Sequence, residues 1–317
     1  MSICLVLPFF GHFPPFFHIW LRSVRANPDV NWLILSDDDS YVRKMPENVR
    51  FIKMSFADLR ARIQSAFDFP ISLETPYKLC DFKTAYGEIF AEELRGFDFW
   101  GYCDCDLVFG KIRKFLTDEI LCAHDRIFSR GHMTLIRNTL DATSLYKEKI
   151  DGLRYYRDAF SSSRPFCFDE WGGSSCIWKK LRPDKFFDEK LFDDISIAQK
   201  HFVLSKWLQS NMRAVEKRVA FVWRSDGSLF RVSDSGKTET LYVHFQKRPM
   251  KIVPACENGG ADAGYVFVPN KVFPFVSDDD VEVLRRRYCK RRLFYFHYWR
   301  VRYGNLVRKI RRAIFKK

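Results

Sequence analysis

Phe97-Asp98-Phe99-Trp100-Gly101-Tyr102-Cys103-Asp104-Cys105-Asp106 is an aromatic run between Gly96 and an acidic triplet. A short, continuous apolar stretch of this kind reads as a strand buried on both faces, the type found in parallel sheets covered by helices. Ligands in open α/β sheets bind beyond the carboxyl ends of the strands, so Asp104 and Asp106 stand where chemistry is expected. Two carboxylates on alternate positions of an extended segment repel each other unless a cation lies between them. Their oxygens suit Mg2+ or Mn2+. A cation there would neutralise charge on a departing diphosphate. Asp-x-Asp is common by chance; its weight comes from the buried strand before it and the apolar Leu107-Val108-Phe109-Gly110 after it.

Upstream, Ile3–Leu7 reads as a buried strand, Pro8-Phe9-Phe10-Gly11 as a turn, and Pro14 or Pro15 as the opening of a helix to about Ala26. A second strand, Trp32–Leu35, ends in Ser36-Asp37-Asp38-Asp39, and a third, Val49–Met54, leads to a helix over Asp58–Phe67. This order predicts an α/β fold with a mixed, mostly parallel sheet flanked by helices. After Pro76, the residues Leu79, Phe82, Tyr86, Ile89, Phe90 and Leu94 follow helical spacing, with Lys78, Asp81, Glu88 and Glu92 on the opposite face. Downstream, Arg126–Ser129 and Met133–Ile136 read as strands around Arg130-Gly131-His132. Phe221–Arg224, Leu229–Val232 and Leu241–Phe245 follow, with turns at Asp226-Gly227 and Ser235-Gly236. Residues 138–215 read as mixed helix and loop. The expected organisation is one catalytic domain, 1–276, whose halves meet near 110/111, and a tail over 277–317.

Composition narrows the class. A chain of 317 residues with 47% hydrophobic and 29% charged residues is neither disordered nor a membrane bundle. The net charge of +14 is confined to the end, since residues 283–317 hold 14 Lys and Arg and no Asp or Glu. Removing those 14 from the 53 Lys and Arg leaves 39, equal to the 39 Asp and Glu. The body is electroneutral, and a globally basic nucleic-acid binder is disfavoured. Nine scattered cysteines with no CxxC pair point to reduced thiols rather than to a disulfide framework or a zinc ribbon. The apolar opening lacks a basic start and is broken by prolines and Gly11, so it reads as strand, turn and helix rather than a leader. No run of about 20 apolar residues occurs.

A second constellation, His244-Phe245-Gln246-Lys247-Arg248-Pro249, follows the strand Leu241-Tyr242-Val243. A neutral imidazole is a competent third ligand for manganese, and Lys247 and Arg248 could bind a diphosphate. The competing reading is a strand-end histidine with solvated basic neighbours.

Together these pieces resemble the GT-A-type glycosyltransferases, and in particular an uncharacterised bacterial glycosyltransferase-like family associated with surface polysaccharide synthesis. The resemblance runs over residues 2–250. It is carried by Leu7–Gly11, Leu35–Asp38, Pro76-Tyr77-Lys78-Leu79-Cys80-Asp81-Phe82-Lys83, Trp100–Asp106, Arg130-Gly131-His132, Phe168-Asp169-Glu170 and Val243–Arg248. It implies that Asp104, Asp106 and His244 hold Mn2+ or Mg2+ on a nucleotide-sugar donor, uridine-linked by the commonest pattern. It also implies that Pro8, Phe9, Phe10 and Asp37 or Asp38 face the nucleoside, and that Lys83 meets a phosphate or the donor sugar. The late motif is similar to the His-x-x-Gly-x-x-Lys-Pro segment of some retaining transferases, but it lacks the glycine and is shorter.

Asp169 and Glu170 are the expected catalytic carboxylates. They would deprotonate an acceptor hydroxyl if the reaction inverts the anomeric carbon, and bind the acceptor if it retains configuration. An acidic helix start is the competing reading. The flank Trp171-Gly172-Gly173 would suit a sugar face. The acceptor expected is a polysaccharide or lipid-linked saccharide.

In the tail, Leu293, Phe296, Trp299, Tyr303, Leu306, Ile310 and Ala313 make a helical stripe among arginines and lysines. This fits an amphipathic helix on an anionic membrane surface, and hence a cytoplasmic protein peripheral on the inner face of the cell membrane. The competing reading packs that helix on the body. Two rival functions remain at this point: a haloacid-dehalogenase-like phosphatase using Asp104-x-Asp106 with the first aspartate as nucleophile, and an inactive adaptor binding membrane or nucleic acid.

Overall fold

The computed structural model describes residues 1–170, 172–205, 216–259, 262–290 and 295–314. Trp171 and Leu293, singled out above, and residues 206–215 of the mixed region lie outside the described residues. The strands are β1 (Ile3–Pro8), β2 (Asn31–Ser36), β3 (Val49–Lys53), β4 (Phe99–Cys103), β5 (Leu107–Phe109), β6 (Arg126–Ile127), β7 (Met133–Arg137) and β8 (Phe186–Phe187). They continue with β9 (Asp193–Asp194), β10 (Ala220–Arg224), β11 (Leu229–Ser233), β12 (Gly236–Glu239), β13 (Tyr242–His244), β14 (Lys251–Ile252), β15 (Gly264–Val268) and β16 (Lys271–Pro274). The chain divides into two compact units: residues 1–107 with 111–190, and residues 108–110 with 191–317. The chain thus passes between the units at 107/108, 110/111 and 190/191.

The first unit is α/β, built on a mixed, mostly parallel sheet in the order β3-β2-β1-β4-β7-β6-β8. β1 runs parallel to β2 on one side and β4 on the other, with Val6 opposite Leu33 and Tyr102. β7 is antiparallel to β4. Alternation along the strands sorts side chains to two faces. Leu33, Leu35, Trp100 and Tyr102 join a core with Leu59 and Ile63 of the helix Phe56–Ser65. Trp32, which precedes Leu33 and so points to the other face, meets Trp20 of the helix Phe17–Arg25 at 6.4 Å. All nine cysteines are free thiols.

The segment after Pro76 differs from the single helix expected. It is a chain of short turns: 3-10 over Pro76–Lys78, α over Leu79–Phe82, 3-10 over Lys83–Ala85 and α over Tyr86–Ile89. Its apolar stripe is buried as expected, yet Lys78 and Asp81, placed on the opposite face by spacing, are buried too. Lys78 Nζ pairs with Asp81 at 2.5 Å and donates to the carbonyls of Ala159 (2.7 Å) and Arg164 (3.0 Å). Asp81 accepts from the amides of Phe166 and Phe168. Gly87 is pressed so close to the sheet that a Cβ there would lie 2.4 Å from the Trp100 ring. Tertiary demands of this kind break a regular helix into turns.

The second unit carries an antiparallel-rich sheet, β12-β11-β10-β15-β16-β14, and a small one, β5-β13-β9. β10 and β11 form the hairpin expected at Asp226-Gly227, with Gly227 at φ 85°; Gly236, at φ 120°, turns β11 into β12. Ser277, expected to mark a boundary, instead caps the helix Asp278–Tyr288 by accepting from the Asp280 amide. Val281, Cys289, Leu284 and Tyr288 pack on Ala220, Val222, Val266 and Val268, so this helix is part of the unit's core and not of an appendage. The helix Phe296–Ile314 follows.

Candidate metal and nucleotide site

In the first unit the end of β4 is fixed through its backbone. The Asp104 amide donates to the His132 carbonyl (3.0 Å), and Trp20 Nε1 donates to the Asp104 carbonyl (3.3 Å). One carboxylate oxygen of Asp104 and one of Asp106 lie within 4.8 Å of each other, and Asp106 is buried. Lys83 closes on this pair, its Nζ 2.7 Å from Asp104 Oδ1 and donating to the Gly131 carbonyl at 2.7 Å. Burial opposes its charge, but the Asp104 carboxylate outweighs that and holds the Lys83 ammonium well above its ordinary pKa. Two adjacent carboxylates offer the oxygen donors that a hard divalent cation takes, and in their present pairing the Lys83 ammonium meets part of that charge.

The same unit brings Asp169 and Glu170 to the loop Arg130-Gly131-His132. Glu170 Oε1 accepts from the Gly131 amide at 2.7 Å, and Arg130 lies 3.8 Å from Oε2. Asp169 is 2% exposed, with no hydrogen-bond partner for Oδ1 among the described residues. Burial pushes its carboxyl well above the ordinary range against the pull of Lys83, and Glu170 adds to the rise. A Cβ on Gly131 would stand 2.2 Å from Asp169 Oδ2, so only glycine allows this approach. The buried guanidinium of Arg126 donates to Ser174 Oγ (3.0 Å) and towards the Asp169 carbonyl (3.4 Å). Lys78, Asp81, Arg126 and Gly131 are what the sequence reading missed as supports of these acids. The Pro76–Lys83 and Arg130-Gly131-His132 strings carried the signal, but spacing alone puts charges outside.

At the ends of β1 and β2, Gly11 (φ 90°) donates its amide to Asp37 Oδ1 at 2.8 Å, and the Phe13 amide donates to Asp38 Oδ2 at 2.9 Å. The Ser40 amide donates to Asp38 Oδ1 at 3.0 Å. Although partial desolvation works the other way, these bonds from Ser40 and Phe13 hold Asp38 below the ordinary carboxylate range. Phe9 stacks on Phe13 at 4.9 Å, and Phe10 meets Phe56 edge-on at 5.4 Å. Pro8, Phe9 and Phe10 are half-buried. Both aspartates thus tie the two strand-end loops together.

In the second unit, His244 ends β13 opposite Asp194 of β9. Its Nδ1 lies 2.8 Å from Asp194 Oδ1. Lys247 is exposed at φ 57°. Arg248, expected at a diphosphate, is instead buried and spent internally. Its guanidinium donates to the carbonyls of Ser196 and Gln199 (both 2.5 Å) and Lys200 (3.1 Å), and to Asn270 Oδ1 (3.1 Å). Burial lowers its pKa to about 10. A guanidinium with four internal acceptors anchors a loop rather than a ligand.

Solved structures similar to this chain include two forms of one galactosyltransferase and a xylosyltransferase. Mouse xyloside xylosyltransferase 1 in its apo form aligns at 12% identity and TM-score 0.39, over 67% of this chain and 91% of that one. The galactosyltransferase LgtC with donor and acceptor sugar analogues aligns at 12% identity and TM-score 0.37, over 62% and 75%. The LgtC active-site mutant Q189E aligns at 11% identity and TM-score 0.41, over 79% and 89%. No curated protein sequence matches the chain. One family model does, over residues 5–275, and it spans both aspartates of the Asp-x-Asp triplet, the Asp169-Glu170 pair and His244. The chain belongs to that family, a family of unknown function designated DUF6625.

Proposed function

We propose that this protein is a metal-dependent glycosyltransferase of GT-A type, moving a sugar, a hexose in this reading, from a nucleotide donor to a saccharide or lipid-linked acceptor. The observation that carries the reading is the adjacency of the Asp104 and Asp106 carboxylates at the end of β4, with Lys83 against Asp104. Asp104, Asp106 and His244 would hold Mn2+ or Mg2+, which supplies charge neutralisation at the departing diphosphate. Lys83 and the exposed Lys247 offer ammonium groups to phosphate or the donor sugar. Phe9, Phe10, Pro8, Asp37 and Asp38 would frame the nucleoside, with uridine first in the panel to be tried. Burial biases Asp169 towards its neutral form, which suits it to hold a hydroxyl; Glu170 would take the base role if the reaction inverts the anomeric carbon.

The test is donor hydrolysis with Mn2+ across nucleotide sugars, alongside a simple phosphomonoester. Turnover of one nucleotide sugar supports the reading. Phosphomonoester hydrolysis with no nucleotide-sugar turnover sinks it in favour of a phosphatase.

The helix Phe296–Ile314 would place the protein on an anionic membrane surface, the cytoplasmic face in this reading. Phe296 and Tyr303 are 69% and 68% exposed, and Trp299, Leu306 and Ile310 share their face. Exposed Arg300 and Arg302 flank that stripe. Each basic residue near an anionic leaflet contributes about 1 kcal/mol. No helix among the described residues is long and apolar enough to cross a membrane.

A further inference from the structure

Asp194 was not singled out by any sequence pattern, yet it is the hub of the loop that carries His244. It is 3% exposed and lies wholly within the second unit. Its Oδ1 faces His244 Nδ1 at 2.8 Å and accepts from Gln246 Nε2 at 2.9 Å. Its Oδ2 accepts from Gln246 Nε2 at 3.0 Å and from Ser205 Oγ at 2.5 Å. The backbone repeats the pairing. The Ile195 amide donates to the His244 carbonyl (3.0 Å), and the Ser205 amide donates to the Asp194 carbonyl (2.8 Å). Gln246 and Lys247 both sit at positive φ, 50° and 57°, a costly conformation for two consecutive side-chain-bearing residues. The Gln246 amide clasped on both Asp194 oxygens is what fixes it.

A carboxylate can only accept from a neutral imidazole, so this contact places the ring proton on Nδ1 and the lone pair on Nε2. We infer that Asp194 is a positioning residue for metal binding, which sets the tautomer and aim of His244 so that Nε2 is the coordinating nitrogen. Metal-ligating histidines characteristically donate their other ring nitrogen to such a partner, and loss of that partner costs about 10- to 100-fold in metal affinity. The inference rests on the ligand role proposed for His244. Its Gln246 clasp also explains why a glycine-free segment holds this turn.

The experiment pairs metal-free 15N spectra of histidine-labelled full-length protein with Mn2+ titration, using Mn2+ alone as the probe. The His244 signal is identified by its loss in His244→Gln. In the wild type His244 carries its proton on Nδ1. Asp194→Ala is expected to give a mixed tautomer and to weaken Mn2+ at least about tenfold. Asp194→Asn keeps an acceptor and restores both the tautomer and most of the affinity. A wild-type His244 protonated on Nε2 overturns the inference whether or not Asp194→Ala folds. So does Asp194→Ala with Mn2+ affinity within about twofold of wild type, since positioning predicts a larger loss. A wild type that binds no Mn2+ overturns the ligand role itself, whereas normal wild-type binding with unchanged Asp194→Ala overturns the positioning alone.

Discussion

Asp169 is a buried carboxyl, one of whose oxygens has no hydrogen-bond partner among the described residues. Its folded pKa lies well above that of the unfolded chain, with burial the first cause. Above the unfolded carboxylate pKa of about 4, the folded protein binds more protons at this site than the unfolded one. Stability from this group is therefore full at low pH and is lost as pH rises towards the folded pKa. Asp169→Asn removes that dependence. Urea midpoints measured at about pH 5 and about pH 8 should fall less in the variant than in the wild type; an identical fall would mean that Asp169 is ionised throughout. Gly131 belongs to the same scale. Gly131→Ala forces a Cβ to within 2.2 Å of Asp169 Oδ2, and overpacking of this type costs about 1–3 kcal/mol. A thermal melt that leaves Gly131→Ala indistinguishable from wild type would contradict the close approach.

At the scale of elements, strands were legible and the segment after Pro76 was not. Ile3–Leu7 and Trp32–Leu35 became β1 and β2, because a strand buried on both faces leaves an uninterrupted apolar run; Val49–Met54 became β3 at the sheet edge, where Arg50 and Lys53 are exposed. The acidic pair after β4 was legible because strand ends are where parallel sheets leave space. Lys78 and Asp81 were misplaced by periodicity because they satisfy each other and the backbone of residues 159–168, which are distant in sequence. Arg248 was misread for the same reason, since its acceptors at 196–200 and Asn270 are remote. Asp81→Ala strands the Lys78 ammonium in the core and should cost about 3–5 kcal/mol, as breaking one side of a buried pair does. Chemical denaturation reads this directly, and a loss below about 1 kcal/mol would show that Lys78 escapes to water.

At the scale of the whole molecule, charge is segregated: a neutral body and a strongly basic end. The helix Asp278–Tyr288 belongs to the core of the second unit, so a cut at Asp280 would damage that core. A chain truncated after Lys290 keeps it and removes the exposed stripe. That truncated chain should leave vesicles of anionic lipid while keeping metal-dependent nucleotide binding. Undiminished co-sedimentation would move the membrane contact elsewhere.

In the proposed reaction, the paired acids at the end of β4 grip a divalent cation on a nucleoside diphosphate. Calorimetric titration of uridine diphosphate with and without Mn2+, in the wild type and in Asp106→Asn, tests it most directly. The wild type is expected to bind only when Mn2+ is present, and a still-folded Asp106→Asn is expected to lose that binding. Equal affinity in the two proteins with Mn2+ present would contradict it.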